Sequence, residues 1–448
     1  MSHLYLLGVA TLTLTSASFA GSDTNADLQA RLEAAETRIS ELSAVTNANW
    51  LNDTRADEIR GLVHDVLADA DTRASLQGSG ATAGYNGGFT VGSADGNWSL
   101  KINGLLQTRW TSVDNEAIVN AAGPPAVTNA GSQWAFNNQR SWLHLSGTIA
   151  GDYSYDVRHN LTAATSADAQ WANGSMNLSD DWSLTAGTMK LASSREAMIG
   201  SQNQLTMDRQ NINLGGVVIG GYQVGQGVQL GYTGDDLRFM GQMFNNFANT
   251  ASAITPPANN DSSYAVNLRA EFMVEGSGWG QFDEFTSADG GAAGTLIGLS
   301  WMTLDDGDSG ATQAAGNQTS GVEYWTIDAQ MQFGGSNLYV SYADFSDSNT
   351  PNTVVVPAVL NTDSDTLTVM YGIYLDSDWE LYGRYIDSDG SAAGPLNGSN
   401  VSIGLNNYLA GQNCKWTTEI TWNDSAIETV ANPNTDVTTI STQLQFYF

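Results

Sequence analysis

The chain has 448 residues, only 14 % of them charged, with a formal net charge of −31 and a single cysteine, Cys414. So acidic a balance argues against nucleic acid and anionic membrane surfaces as partners, since both are gripped by Lys and Arg. The lone cysteine excludes an intramolecular disulfide and reads as a free thiol near a short turn, so stability has to come from strand pairing.

The first element is an apolar run from Leu4 to Leu14, followed by Ser18-Phe19-Ala20 with small residues where a signal peptidase cuts. Residues 1–20 are therefore expected to be a secretory signal peptide, although only His3 stands where basic residues usually do. The run is shorter than the ~20 residues of a membrane-spanning helix. No later stretch is long and apolar enough to be one, and no cysteine follows the cut to carry a lipid. Leu28, Leu32, Ala35, Ile39 and Leu42 then repeat at steps of four and three. The spacing predicts a short coiled-coil-like helix over 21–50, or one amphipathic helix resting on another surface. A second amphipathic helix is expected over 53–77, with Ile59, Leu62, Val63, Val66 and Leu67 on one face. Gly78 to Gly88 reads as a linker.

From Gly88 to Phe448 the hydrophobic period changes to two. Leu100, Ile102, Leu106 and Trp110 share a face opposite Lys101, Asn103, Gln107 and Arg109, and near the end Ile440, Leu444, Phe446 and Phe448 oppose Ser441, Gln443 and Gln445. Segments of ~10 residues with this alternation are the pattern of a wall with lipid outside and water inside. About sixteen can be marked, near 98–111, 137–149, 153–164, 168–178, 182–190, 225–233, 236–246, 264–274, 293–305, 323–333, 336–346, 364–375, 378–388, 400–410, 414–424 and 438–448. Short turns such as Gly151-Asp152, Asp180-Asp181, Gly234-Asp235 and Gly334-Gly335 mostly alternate with long polar loops. The connection near 275–292 breaks that rule by being long where a short periplasmic turn belongs. The expected fold is all-β, a transmembrane antiparallel β-barrel of about 16 strands over 88–448, preceded by a helical segment. Closure would satisfy every backbone polar group inside lipid and remove exposed edges.

The C-terminal Gln445-Phe446-Tyr447-Phe448 resembles the sorting signal of bacterial outer-membrane proteins. Gly88-Phe89-Thr90-Val91 followed by Ser93-Ala94-Asp95-Gly96-Asn97-Trp98-Ser99-Leu100-Lys101-Ile102-Asn103-Gly104 is similar to the opening hairpin of phosphate-selective porins of the O and P family. Arg55-Ala56-Asp57-Glu58-Ile59-Arg60 and Asp69-Ala70-Asp71-Thr72-Arg73 look like porins of planctomycete-type bacteria. The resemblance implies a sixteen-stranded, homotrimeric outer-membrane channel for passive diffusion of small hydrophilic solutes or ions. No binding residue is carried over, because this chain is poor in the Lys and Arg with which members named for phosphate hold the anion.

Strand parity assigns Lys101, Arg109, Arg140, Arg158, Arg269, Arg384 and Lys415 to the lumen face, with Asp156, Glu271, Asp328, Glu380 and Glu419 as its acids. Most other acids fall in turns and loops. A basic wall favours anions while acidic loops concentrate cations, so the two signals conflict. The longest connection, Leu191 to Val224, follows the fifth strand, where general porins fold a loop inward. Arg195, Glu196, Asp208 and Arg209 are its candidate pore-lining residues, the alternative being an extracellular loop with ordinary ion pairs. A barrel hydrolase using His144, His159, Ser146 and Asp156 is a second reading, without a triad motif to support it. A structural barrel tethered through its N-terminal helices is a third. No cofactor is expected. No zinc pattern exists, and Asp305-Asp306-Gly307-Asp308 and Asp387-Ser388-Asp389-Gly390 read as solvated acids rather than calcium loops.

Overall fold

The computed structural model describes residues 25–49, 61, 63, 81–115, 118–119, 127–128, 131–161, 169–210, 212–214, 217–219, 224–248, 264–305, 322–347, 363–390, 398–425 and 437–448. The signal peptide expected over 1–20 and nearly all of the helix expected over 53–77 lie outside them. The chain divides into two units, Met1–Gly80 and Ala81–Phe448.

In the first unit, helix α1 spans Asn25–Asn49. Its seam residues Leu32 and Ile39 are exposed. No helix among the described residues is long and apolar enough to cross a membrane.

The second unit opens with a hairpin of β1 (Thr82–Tyr85) and β2 (Phe89–Gly92). Thr82–Tyr85 falls where composition suggested a linker. It becomes a strand because β2 is itself held on the first barrel strand, Phe89 facing Ile102 and Gly92 facing Ser99. Sixteen strands follow: β3 (Ser99–Asn115), β4 (Gly131–Ile149), β5 (Tyr153–Asn160), β6 (Ala169–Asn177), β7 (Trp182–Lys190), β8 (Val224–Thr233), β9 (Leu237–Ala248), β10 (Tyr264–Glu275), β11 (Gly294–Asp305), β12 (Val322–Gln332), β13 (Ser336–Asp347), β14 (Ser364–Tyr374), β15 (Trp379–Gly390), β16 (Gly398–Gln412), β17 (Cys414–Ser425) and β18 (Val437–Tyr447). Each pairs antiparallel with its neighbours in sequence, and β18 returns to β3 from Val437–Asn115 to Tyr447–Leu105. Phe448 and Gly104 exchange backbone hydrogen bonds beyond that register, where a side chain at Gly104 would strike the Phe448 ring. The sheet is a closed barrel.

Burial follows the period of two. On β12, Tyr324, Thr326, Asp328 and Gln330 point inward and are buried, while Trp325 and Ile327 point outward. The outward positions keep large apolar side chains open, among them Leu299 at 55 %, Phe272 at 51 % and Ile403 at 50 % exposure. Such a belt would be a liability in water and is what a lipid-facing wall requires.

The interior differs from the uniformly polar lumen that alternation implies. Phe244, Ala265, Met302, Tyr324, Ala343 and Phe345 point inward and form a buried cluster with Met189 and Leu191. A second cluster joins Tyr339, Met370 and Tyr382 to Ile199, Leu205 and Phe285. Both arise because two connections fold into the barrel and dock on its wall. One is the segment 191–210. The other is the anomalous connection 276–293, whose Trp279–Asp283 3-10 turn brings Phe282 against Met273 and Leu296. Its length is explained by that docking, since it fills the end of the barrel where the short turns lie.

Candidate functional site

The segment 191–210 has little regular structure. Ser194 caps one helical turn, Arg195–Met198, by accepting from the Ala197 N–H at 3.1 Å, and Ser201–Asn203 makes a 3-10 turn. Most of its carbonyl groups therefore lack a ladder partner. At membrane depth such backbone is tolerated only where protein or lumen water satisfies it. The wall supplies the donors. Asn267 and Ser300 donate to the Ala192 carbonyl at 3.2 and 2.9 Å, and Lys190 to that of Met198 at 3.0 Å. Lys415 donates to Gln202 and Gln204, Asn406 to Leu205, and Arg384 to Asp208 at 2.6 Å. Within the segment, Arg209 donates to the carbonyls of Glu196 and Ile199. Much of the barrel's scarce positive charge is thus engaged in holding peptide carbonyls.

Carboxylates take most of the rest. Arg269 is wholly buried and forms paired hydrogen bonds to Asp328 at 2.9 and 2.8 Å and to Glu271 at 3.1 and 2.9 Å. Glu271 also accepts from Arg238, and the Arg195 guanidinium stands 3.8 Å from it. Gly298 lies between Glu271 and Asp328 in the sheet. A side chain there would occupy the space in which Arg269 reaches Asp328, so glycine is required by close approach. Arg195 further donates to the Phe282 carbonyl and to Gln330, and its backbone N–H to Asp328. That side chain ties the two inward connections to the wall.

Asp208 is clamped from the other side. Arg109 and Arg140 donate to its carboxylate at 2.5 and 2.8 Å, and both also reach the Met207 carbonyl. Its side chain keeps 39 % exposure, so it borders open space. Desolvation inside the barrel pushes its carboxyl up, but Arg140 and Arg109 outweigh this and hold it well below the usual carboxylate range. A lowered value in the folded state means the clamp is fully present above the ordinary range and is lost only as pH falls through the lowered value. Glu196 runs the other way. Burial raises its carboxyl against the pull of Arg384, the Gln210 N–H and Arg209, so its charge costs stability at neutral pH and acid removes that cost. Neither change loosens the segment between pH 7 and about pH 4, the ordinary carboxylate range. Open-channel conductance in a planar bilayer should stay level across that interval, and a stepwise rise near pH 5 would contradict the clamp.

The sequence-derived candidates therefore separate by exposure. Arg195, Glu196 and Arg209 lie on the inward segment but are almost closed to solvent, as are Arg109, Arg158, Arg269 and Arg384 on the wall. Arg269 in particular holds strands together and does not face open lumen. Asp208, Arg140 and Lys101 retain exposure. Parity missed the wall cations Lys190 and Arg238. It also missed an aromatic stack in which the Arg158 guanidinium lies 3.7 Å from the Trp142 ring and 4.6 Å from that of Trp171. The signal was a tryptophan at position 142, between Arg140 and His144 on the wet parity. His144 and Asp156 meet at 2.8 Å, and Trp171 donates to the same carboxylate. His159 pairs with Leu143 on the opposite face, so the four residues considered for hydrolysis are not brought together.

The inward segment hydrogen-bonds to β3, β4, β7, β9–β12 and β14–β18, and it meets β13 by apolar contact. A cavity of about 250 Å³ opens beside the segment along β6–β9, lined in part by Asn173, Ser175, Thr185 and Gln229. The lumen face from β3 to β8, with the segment beside it, carries Lys101, Arg109, Arg140, Arg158 and Lys190 against Asp156 and Asp208.

A model of the family described as phosphate-selective porin O and P matches residues 123–287, under half of the chain. Among solved structures, the outer membrane channel DcaP of Acinetobacter baumannii is similar at a TM-score of 0.51 and 11 % identity, over 82 % of this chain and all of that one. An anion-selective porin from Comamonas acidovorans is similar at 0.51 and 11 %, over 78 % of this chain and all of that one. At such identities the likeness is one of fold. No protein of curated function matches the sequence.

Proposed function

We propose that this chain, an outer-membrane porin and a channel for passive diffusion, passes small hydrophilic solutes with a preference for anions. One observation carries the reading: the lumen face from β3 to β7, with Asp208 of the segment beside it, has five cationic side chains, Lys101, Arg109, Arg140, Arg158 and Lys190, against the two carboxylates of Asp156 and Asp208. Elsewhere on the wall and the two inward connections, the six cations Arg195, Arg209, Arg238, Arg269, Arg384 and Lys415 meet seven carboxylates, Glu196, Glu271, Asp283, Glu284, Asp328, Glu380 and Glu419. The net positive charge therefore stands beside the passage. Charge in a narrow, low-dielectric constriction is focused on permeating ions. Acidic loops more than a Debye length away, ~8 Å at physiological salt, are screened. The constriction should outrank the loops. Under a KCl gradient across a planar bilayer, the reversal potential is expected to have the sign of chloride preference. A potassium-preferring sign would sink the proposal.

We infer further that three copies assemble through the side formed by β5–β7. Among the described residues these are the shortest barrel strands, at 8, 9 and 9 residues, at or below the ~9–11 that a tilted strand needs to span lipid. Neighbouring copies would cover the low side of the wall. Native mass measurement in detergent should give a trimer, and a monomer under conditions that preserve the closed barrel would contradict the assembly.

A further inference from the structure

The cavity along β6–β9 combines two chemistries that a simple water path does not need. Lys190, at the end of β7, lines the cavity, and its ammonium donates to the Met198 carbonyl at 3.0 Å. Met189, Met198 and Met240 line the same space, with Thr185 and Gln229 at its polar side. Thioether side chains are flexible and polarizable, and they adapt to hydrocarbon better than a hydrated wall does. About 250 Å³ is smaller than the ~300–1,000 Å³ of sites for drug-sized ligands, so the occupant has to be small. A sugar would call for aromatic rings, and none lines the cavity. A cation would meet the Lys190 charge.

We propose that this cavity is a binding subsite for a small carboxylate with a short aliphatic chain. Lys190 attracts the carboxylate, and Met189, Met198 and Met240 receive the chain. The proposal rests on the anion preference argued above and names a solute class for it. Such a subsite would give transient occupancy, which lets a solute both enter and leave.

The test is carried out on the full chain in a planar bilayer, with acetate, butanoate, pentanoate or n-pentylammonium added to one side in KCl. Pentanoate is expected to interrupt the current at concentrations more than about tenfold below acetate, from about threefold per added methylene. Lys190→Gln, whose amide can still donate to Met198, should lose the pentanoate interruptions, and Lys190→Arg should restore them. Met240→Asn and Met198→Asn, made separately, should bring pentanoate down to the effect of acetate while the lysine is intact. Equal potency of acetate and pentanoate on the unaltered channel would overturn the subsite. So would interruptions that survive Lys190→Gln, or n-pentylammonium matching pentanoate. Reversal potential recorded on the same membranes separates the two claims: potassium preference together with chain-length-dependent block would remove the selectivity reading and leave the subsite standing.

Discussion

Replacing Arg269 by Met should lower the barrel's unfolding free energy by about 3–5 kcal/mol, the usual cost of breaking a buried ion pair from one side. Arg269 has no solvent exposure, and its partners Glu271 and Asp328 have almost none. Glu271 would keep Arg238 and Arg195, but Asp328 would lose both guanidinium hydrogen bonds and retain only the Arg195 backbone N–H. An isolated carboxylate in that position has no water to turn to. The double variant Arg269→Met with Asp328→Leu should recover most of the loss, because removing both partners leaves no orphaned charge. Urea unfolding of the refolded barrel, followed by loss of heat-modifiable migration, measures both. A single variant within about 1 kcal/mol of the unaltered protein would show that the network is dispensable.

The barrel was legible in the sequence because its period of two is imposed by the two solvents on either side of the wall. Each of the sixteen alternating segments falls on an observed strand. Long connections at 112–136 and 347–363 and short ones at Gly334-Gly335 hid nothing of it. What parity could not reveal was how much of the lumen is occupied. Alternation assumes that an inward side chain meets water, and Phe244, Met302 and Phe345 meet docked backbone instead. The signal was there, in strands apolar at both parities. β9, reading Phe239-Met240 and Met243-Phe244, is one such strand, and it lies where the inward segment packs. Parity likewise identified Arg109, Arg140 and Arg384 as lumen residues but could not tell a side chain facing solute from one holding a carbonyl. That distinction depends on contacts such as Arg384 with the Asp208 backbone, 176 positions apart in sequence.

The same geometry makes the basic residues a consequence of irregular backbone inside the barrel as much as a device for selectivity. A carbonyl-rich segment crossing the lumen needs donors from several strands at once, and Lys, Arg, Asn and Gln supply them without a ladder. This explains why all eleven Lys and Arg residues after Gly78 fall on the inner wall, at its rim or on the inward segment. It also explains why most acidic residues, which donate nothing when ionised, stand in the turns and loops.

Everything turns on whether the stretch after Lys190 narrows the channel. Exchanging residues 194–209 for a short Gly-Ser bridge leaves the sixteen strands and their register untouched, and the wall donors it strands can be hydrated by the water that enters. Single-channel conductance in the exchanged protein should rise at least about twofold, with weaker discrimination between chloride and potassium as the Arg109, Arg140 and Asp208 clamp disappears. A folded, heat-modifiable barrel whose conductance does not change would mean that ions pass elsewhere.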